Sequence, residues 1–297
     1  MRMTKHEHFD RYELLQVLGD GGMGIVYKAY DPVLERLVAI KTIRDDRPRR
    51  AAARSADLRQ RLKREASLGK RLTHPNIVHV HQCICHPNYC YIVMEFVDGQ
   101  SLGAHLKTGH RFAIPEIQRI MHQLLSALDY AHRHGVIHGD VKPGNLLLAC
   151  RGELRVTDFG TAHLDSPMQE QPLPLSGTPS YMAPEQCLGL AADSRADIFS
   201  TGVILYQLLT GDKPFTGSSA RIRMHNVLQT MPADPSRVAP LLPPQVGAVV
   251  LKALAKRPDE RFATARAFDE ALTTALALFR QLTPYPTPRS TGAPSRR

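Results

Sequence analysis

The chain has 297 residues, of which 43% are apolar and 22% charged, and it carries a formal net charge of +10. That length allows one large domain or two small ones around a buried core, and the balance of apolar and charged residues argues against a disordered chain. No apolar run approaches the roughly 20 residues that a membrane span needs, and the positive charge favours anionic partners without choosing among nucleotide, acidic protein and nucleic acid.

Met1 to Glu7 is polar and basic with no apolar segment behind it, so no signal peptide is expected. Five cysteines (Cys83, Cys85, Cys90, Cys150, Cys187) are odd in number and lack a framework spacing. Reduced thiols and a cytoplasmic location are the expectation.

In chain order, β-branched enrichment predicts strands at Tyr12 to Leu18, Ile25 to Tyr30 and Leu37 to Ile43, with a glycine cluster between the first two. The run from Arg44 to Arg64 holds nine Arg or Lys against three Asp, is broken early by Pro48 and reads as helical from about Ala51. Ile77 to Cys85 and Tyr89 to Phe96 read as two further strands. Beyond Asp98-Gly99 the period changes. Ile117, Ile120, Met121, Leu124, Leu125 and Leu128 recur at three and four residues, as on an amphipathic helix, with Pro115 in its first turn and Gly135 as its stop. Short strands follow at Asn145 to Ala149 and Leu154 to Thr157, then helices at Ser194 to Thr210, Ala220 to Gln229, Gln245 to Ala255 and Ala263 to Leu282. The class is α+β, with a strand-rich first third and a helical remainder. Four segments are expected: an N-terminal tail (1–8), a small lobe (9–97), a large lobe (98–283) and a disordered Pro/Ser/Arg tail (284–297).

The residues that carry chemistry begin with Gly19-Asp20-Gly21-Gly22-Met23-Gly24-Ile25-Val26. A G-x-G-x-x-G also opens dinucleotide-binding folds, but there a helix follows the glycines, whereas here a strand does. The turn therefore reads as a hairpin whose backbone can close over phosphates, or as a plain glycine-rich hairpin. Val38-Ala39-Ile40-Lys41 ends an apolar strand on a lysine, which must snorkel or meet an anion. His138-Gly139-Asp140-Val141-Lys142-Pro143-Gly144-Asn145 and Asp158-Phe159-Gly160 supply a proton acceptor and oxygen ligands for a hard cation. Gly177-Thr178 to Ala183-Pro184-Glu185 and Asp197 to Gly202 complete the set.

In this order and spacing the motifs resemble those of the protein kinase family, closest to bacterial serine/threonine kinases of the eukaryotic (Hanks) type, from about Phe9 to Leu282. The resemblance implies a bilobal protein kinase fold, with a five-stranded antiparallel small lobe carrying one helix and a mainly helical large lobe. It implies transfer of the γ-phosphoryl of ATP, with Mg2+ (Mn2+ as a substitute), to Ser/Thr hydroxyls of protein substrates, autophosphorylation included. The glycine hairpin would cover the phosphates and Lys41 would hold the α- and β-phosphates, paired with Glu65 of the small-lobe helix. Asp140 would accept the substrate proton, with Lys142 beside the transferring group and Asn145 and Asp158 as metal ligands. Val26, Ala39 and Leu147 would sandwich adenine, with Met94 as gatekeeper and Glu95 and Val97 as hinge residues; each apolar one also reads as ordinary core. Glu185 with Arg261, and Asp197, are read as structural. Serine/threonine specificity rests on Lys142 and on Thr178, which follows Ser176 in the activation segment.

One position departs from the pattern. Gly139 stands where the family usually carries Arg, which clamps an activation-loop phosphate, so phosphate-dependent switching is in doubt and a pseudokinase binding module is the alternative function. A small-molecule kinase is disfavoured by the 178–185 segment. The basic 44–64 stretch reads as a solvated helix face or as a docking surface for an acidic partner; no nucleic acid is expected. His79, His81, Cys83 and Cys85 would share one strand face, a donor set of the type that suits Zn2+, but strand rise spreads the outer two by about 20 Å, so the four could meet one ion only if the strand bent.

Overall fold

The computed structural model describes residues 8–21, 24–42, 60, 62–63, 66–86, 90–159, 163–164 and 179–282. Its first sheet is antiparallel, with strand order β1-β2-β3-β4-β6-β5. The strands are β1 (His8–Phe9), β2 (Tyr12–Gly21), β3 (Gly24–Asp31), β4 (Arg36–Thr42), β5 (Val80–Cys85) and β6 (Cys90–Glu95). The described residues of the small lobe thus hold six strands where five were expected. The extra one is two residues long and pairs Phe9 with Tyr12, and it stays because its aromatic ring packs on Tyr27 and Tyr91. A helix whose described residues are 60, 62–63 and 66–71 (α1) lies against the other face through Leu62 and Ala66. The strand expected from Ile77 begins only at Val80. Ile77 makes an isolated parallel bridge to Val156 instead, because the segment runs alongside the large lobe, with Val78 N–H donating to Val156 O at 2.9 Å.

The chain passes from β6 to β7 (Gly99–Ser101) and α2 (Leu102–Lys107). Ser101 caps that helix by accepting from Ala104 N–H. Helix α3 (Ile114–Arg133) buries all six periodic residues named above. Glu116 reaches back to Ala113 N–H at its start, and Gly135 follows its end at φ 69°. Then come β8 (Val136–Ile137), β9 (Leu146–Ala149), β10 (Leu154–Val156) and β11 (His163–Leu164). They form a β10-β9-β7 sheet and a β11-β8 pair.

Among the described residues six helices complete the large lobe: α4 (Pro184–Cys187), α5 (Ser194–Thr210), α6 (Ala220–Gln229), α7 (Pro235–Val238), α8 (Pro244–Ala253) and α9 (Ala265–Leu282). α5 is buried on nearly every side, as expected of a helix without a polar face. It ends at Gly211, whose φ of 85° lies in the left-handed region that favours glycine. Predicted and observed ends differ by one or two residues at α8 and α9, within ordinary fraying. No described helix is long and apolar enough to cross a membrane.

The cysteines depart from expectation. Cys85 and Cys90 form a disulfide, because the β5–β6 register sets them directly opposite each other at the hairpin end. Cys83, Cys150 and Cys187 are not disulfide-bonded. β5 also carries a register shift between Val80 and Gln82, which breaks the shared face expected for the His/Cys run. The predicted helix of the basic stretch lies largely outside the described residues.

Candidate active site

The site is built on the loop between β8 and β9. Asp197, in the first turn of α5, is 1% exposed and takes two consecutive backbone donors from that loop, His138 N–H at 2.9 Å and Gly139 N–H at 2.8 Å. His132 Nε2 lies 2.8 Å from the same carboxylate. Burial pushes the Asp197 carboxyl up, but the His132 contact, His138 and the Gly139 N–H outweigh it and hold it below the usual carboxylate range. The buried charge is therefore compensated and pins the loop. His138 Nε2 is 3.0 Å from Thr157 O and its ring packs on Phe159 at 4.6 Å, so the loop and the Asp158-Phe159 segment sit side by side.

Asp140 projects from this anchored turn. Lys142 Nζ donates to its Oδ2 at 2.5 Å, and Asn145 Nδ2 donates to its carbonyl at 3.0 Å and to Oδ2 at 3.3 Å. Both of these bonds to Asn145 use the amide nitrogen, so the amide oxygen is the atom left for a cation. Asp158, 117 residues along the chain from Lys41, receives its Nζ at 2.8 Å on Oδ1. Burial pushes this carboxyl up, while the Lys41 ammonium, His138 and Lys142 together bring it below the ordinary value. Asp158 has φ 65°, a left-handed backbone that non-glycine residues hold only when their surroundings fix it. The Asp158 carboxylate and the Asn145 amide oxygen are hard oxygen donors, the chemistry that suits Mg2+.

Above these groups stands the small-lobe sheet. In the register Val26 faces Lys41, Ala39 faces Met94 and Lys41 faces Ile92. Ala39 and Met94 share a buried cluster, against which Val26, Val97 and Leu147 pack. The apolar residues singled out for the adenine wall are thereby brought together. Gly19, Asp20 and Gly21 on β2 run antiparallel to Gly24, Ile25 and Val26 on β3. Glu95 spends its N–H on His79 O at 2.9 Å, and its carboxylate receives Arg155 Nε of β10 at 3.2 Å, tying the two lobes. Gly22, Met23, Glu65, Ser176 and Thr178 lie outside the described residues.

Three positioning residues escaped the sequence reading: His132, Arg155 and Gln186, whose Nε2 donates to Gly139 O at 2.8 Å. Gln186 directly follows Glu185, whose carboxylate meets Arg261 through two 2.7 Å bonds. Nothing local marks any of the three, since each acts on a residue distant in the chain.

A family model described as the protein kinase domain matches residues 12–273. Among curated relatives, the serine/threonine-protein kinase PksC of Streptomyces coelicolor is 40% identical over 89% of this chain and 49% of its own length. The serine/threonine-protein kinase PknB of Mycolicibacterium smegmatis is 40% identical over 89% and 43%, respectively. PrkC of Bacillus subtilis, also a serine/threonine-protein kinase, is 37% identical over 89% and 40%. The chain thus spans less than half the length of these relatives. With that match over most of its length, and with the antiparallel small lobe and helical large lobe described above, the chain belongs to the protein kinase family.

Proposed function

We propose that this chain is an ATP-dependent serine/threonine protein kinase. The observation that carries the reading is the orientation of Asp140, whose carboxylate is held by Lys142 and Asn145 on a loop anchored to Asp197. A carboxylate fixed in this way can accept the proton of an incoming hydroxyl. The hydroxyl oxygen forms a bond to the γ-phosphorus as the bond from that phosphorus to the β-phosphate oxygen breaks, and ADP leaves. Lys142 steadies the transferring charge. Lys41, paired with Asp158 in the structure, would hold the α- and β-phosphates. Mg2+ (or Mn2+), held by Asn145 and Asp158, would supply charge neutralisation across the phosphates. Such a site works by positioning and electrostatics.

The glycine hairpin from Gly19 to Gly24, with Gly22 and Met23 at its tip, would cover the phosphates. Val26, Ala39 and Leu147 would enclose adenine, beside Met94, Glu95 and Val97. Glu65 is proposed as the further partner of Lys41, and Thr178 as a contact of Asp140. The small lobe (9–97) would close on the large lobe (98–283) around the nucleotide. The basic 44–64 stretch would dock acidic segments of protein substrates, and a cytoplasmic place of action is proposed with it.

The test is incubation with γ-labelled ATP, Mg2+ and a generic basic protein, beside Lys41→Ala, Asp140→Asn and Asp158→Ala. Transfer by the wild type, its loss in all three variants and retained nucleotide binding by Asp140→Asn are expected. Undiminished turnover in Asp140→Asn would overturn the assignment. Nucleotide binding without any transfer by the wild type would favour the pseudokinase reading that Gly139 raises.

A further inference from the structure

Three of the five cysteines meet at one end of the small-lobe sheet. Cys85 and Cys90 close the β5–β6 hairpin as a disulfide, and Cys83 Sγ lies 3.9 Å from Cys85 Sγ. The bridged sulfurs differ in access. Cys85 is exposed, whereas Cys90 is 2% exposed and packed in the cluster that holds Ala39, Leu62, Ala66, Ile92 and Met94. A small thiol can therefore enter at Cys85 alone, and Cys90 is the leaving sulfur.

We propose that the Cys85–Cys90 bridge is a thiol-exchange site for low-molecular-weight thiols and disulfides, entered at Cys85, and that its state sets nucleotide affinity. The second half rests on the kinase reading above. In the opening direction a thiolate attacks Cys85 Sγ, the Cys85–Cys90 bond breaks, and Cys90 leaves as a thiolate that takes up a proton. A second thiol then attacks the mixed disulfide, which frees Cys85 and releases the reagent as its own disulfide. Closing runs the same steps backwards, with a small disulfide as oxidant. The bridge spans a five-residue separation, and a loop that short adds less to global stability than a longer one would.

The route to the nucleotide runs along β6. Its register places Ile92 opposite Lys41 and Met94 opposite Ala39, and Cys90 begins that strand in the same cluster as Leu62 and Ala66 beside α1. On the far side, His86 Nε2 lies 3.1 Å from Asp10 Oδ2, and the Tyr91 hydroxyl donates to the same oxygen. Asp10 thus holds the residues next to both cysteines whichever state the bridge is in. Opening accordingly loosens the start of β6 without releasing the hairpin, and the surface that β6 offers Lys41 and Ala39 becomes less well ordered.

The test equilibrates the full chain in glutathione buffers of graded ratio, quenches it with acid, alkylates it unfolded and counts thiols by intact mass and peptide mapping. Three labelled cysteines in oxidising buffer and five in reducing buffer are expected. In Cys90→Ala, a glutathione adduct should collect on Cys85 and be absent from Cys85→Ser. Affinity for a fluorescent ATP analogue should weaken by about fivefold on reduction of the wild type, with no change in Cys85→Ser. Five labelled thiols at every ratio, or an adduct mapped to Cys83 or Cys150 in place of Cys85, would overturn the site. Equal nucleotide affinity in both states would overturn the coupling. Absence of nucleotide binding in either state would instead refute the kinase reading, and the thiol counts would still decide the exchange site by themselves.

Discussion

The Asp197 carboxylate and the Gly139 backbone are joined by a 2.8 Å hydrogen bond from the Gly139 N–H, made while Gly139 holds a φ of 75°. The left-handed turn lets two successive N–H groups, those of His138 and Gly139, converge on one buried carboxylate. Glycine adopts that turn without steric cost, while an L-residue with a Cβ does not. Replacing Gly139 by Ala should therefore destabilise the domain by about 1–2 kcal/mol. Urea unfolding monitored by circular dichroism measures it. An unchanged midpoint would mean that the loop relaxes to another backbone at no cost.

The same glycine bears on regulation. A buried arginine before the catalytic Asp lacks a partner until a loop phosphate arrives, and the new pair then orders the segment. Gly139 carries no charge to satisfy. Activity should depend weakly on loop phosphorylation, with kcat/KM of Ser166→Ala/Ser176→Ala and of phosphatase-treated protein within about tenfold of untreated wild type on a short peptide, a span of about 1.4 kcal/mol. A larger loss would show that another cation takes the arginine's place. Thr178 is left intact in this test because its hydroxyl is proposed to contact Asp140.

Arg261 is 4% exposed and meets both oxygens of Glu185 while also donating to Ala255 O, Arg195 O and Lys256 O. Removing one member leaves the other charged and buried. Arg261→Met should cost about 3–5 kcal/mol, whereas Glu185→Met/Arg261→Met should cost less than the sum of its single changes, since no orphan charge remains. Strict additivity in denaturant unfolding would show that the pair is not coupled.

Lys256 places its Nζ 2.6 Å from Val227 O and 4.0 Å from the centre of the Phe215 ring. Burial, with the Arg261 guanidinium nearby, pulls this ammonium down from 10.5 to about 8. The unfolded chain therefore binds more protons than the folded one between about pH 8 and 10.5. The stability that the group contributes is present above that range and is lost as the pH falls through about 8. Tm of the wild type relative to Lys256→Met should rise across that interval. A flat difference would show that the amine keeps its ordinary affinity for protons.

Much of this protein is legible within short windows of its sequence. Three- and four-residue periodicity places α3, β-branched runs place the sheet strands, and the spacing of Asp140, Asn145 and Asp158 marks the candidate site. Each of those signals is local, because helix and strand periods repeat within a few residues. What tertiary structure alone decides are the meetings between distant residues. Lys41 finds Asp158 across 117 positions, and Asp197 collects Gly139 and His132 from elements 58 and 65 residues away. The cysteines show the same limit at closer range. Their number suggested reduced thiols, yet the one-residue choice of hairpin register set Cys85 opposite Cys90. Register follows from which side chains the whole sheet can bury, and no window around the hairpin contains that information.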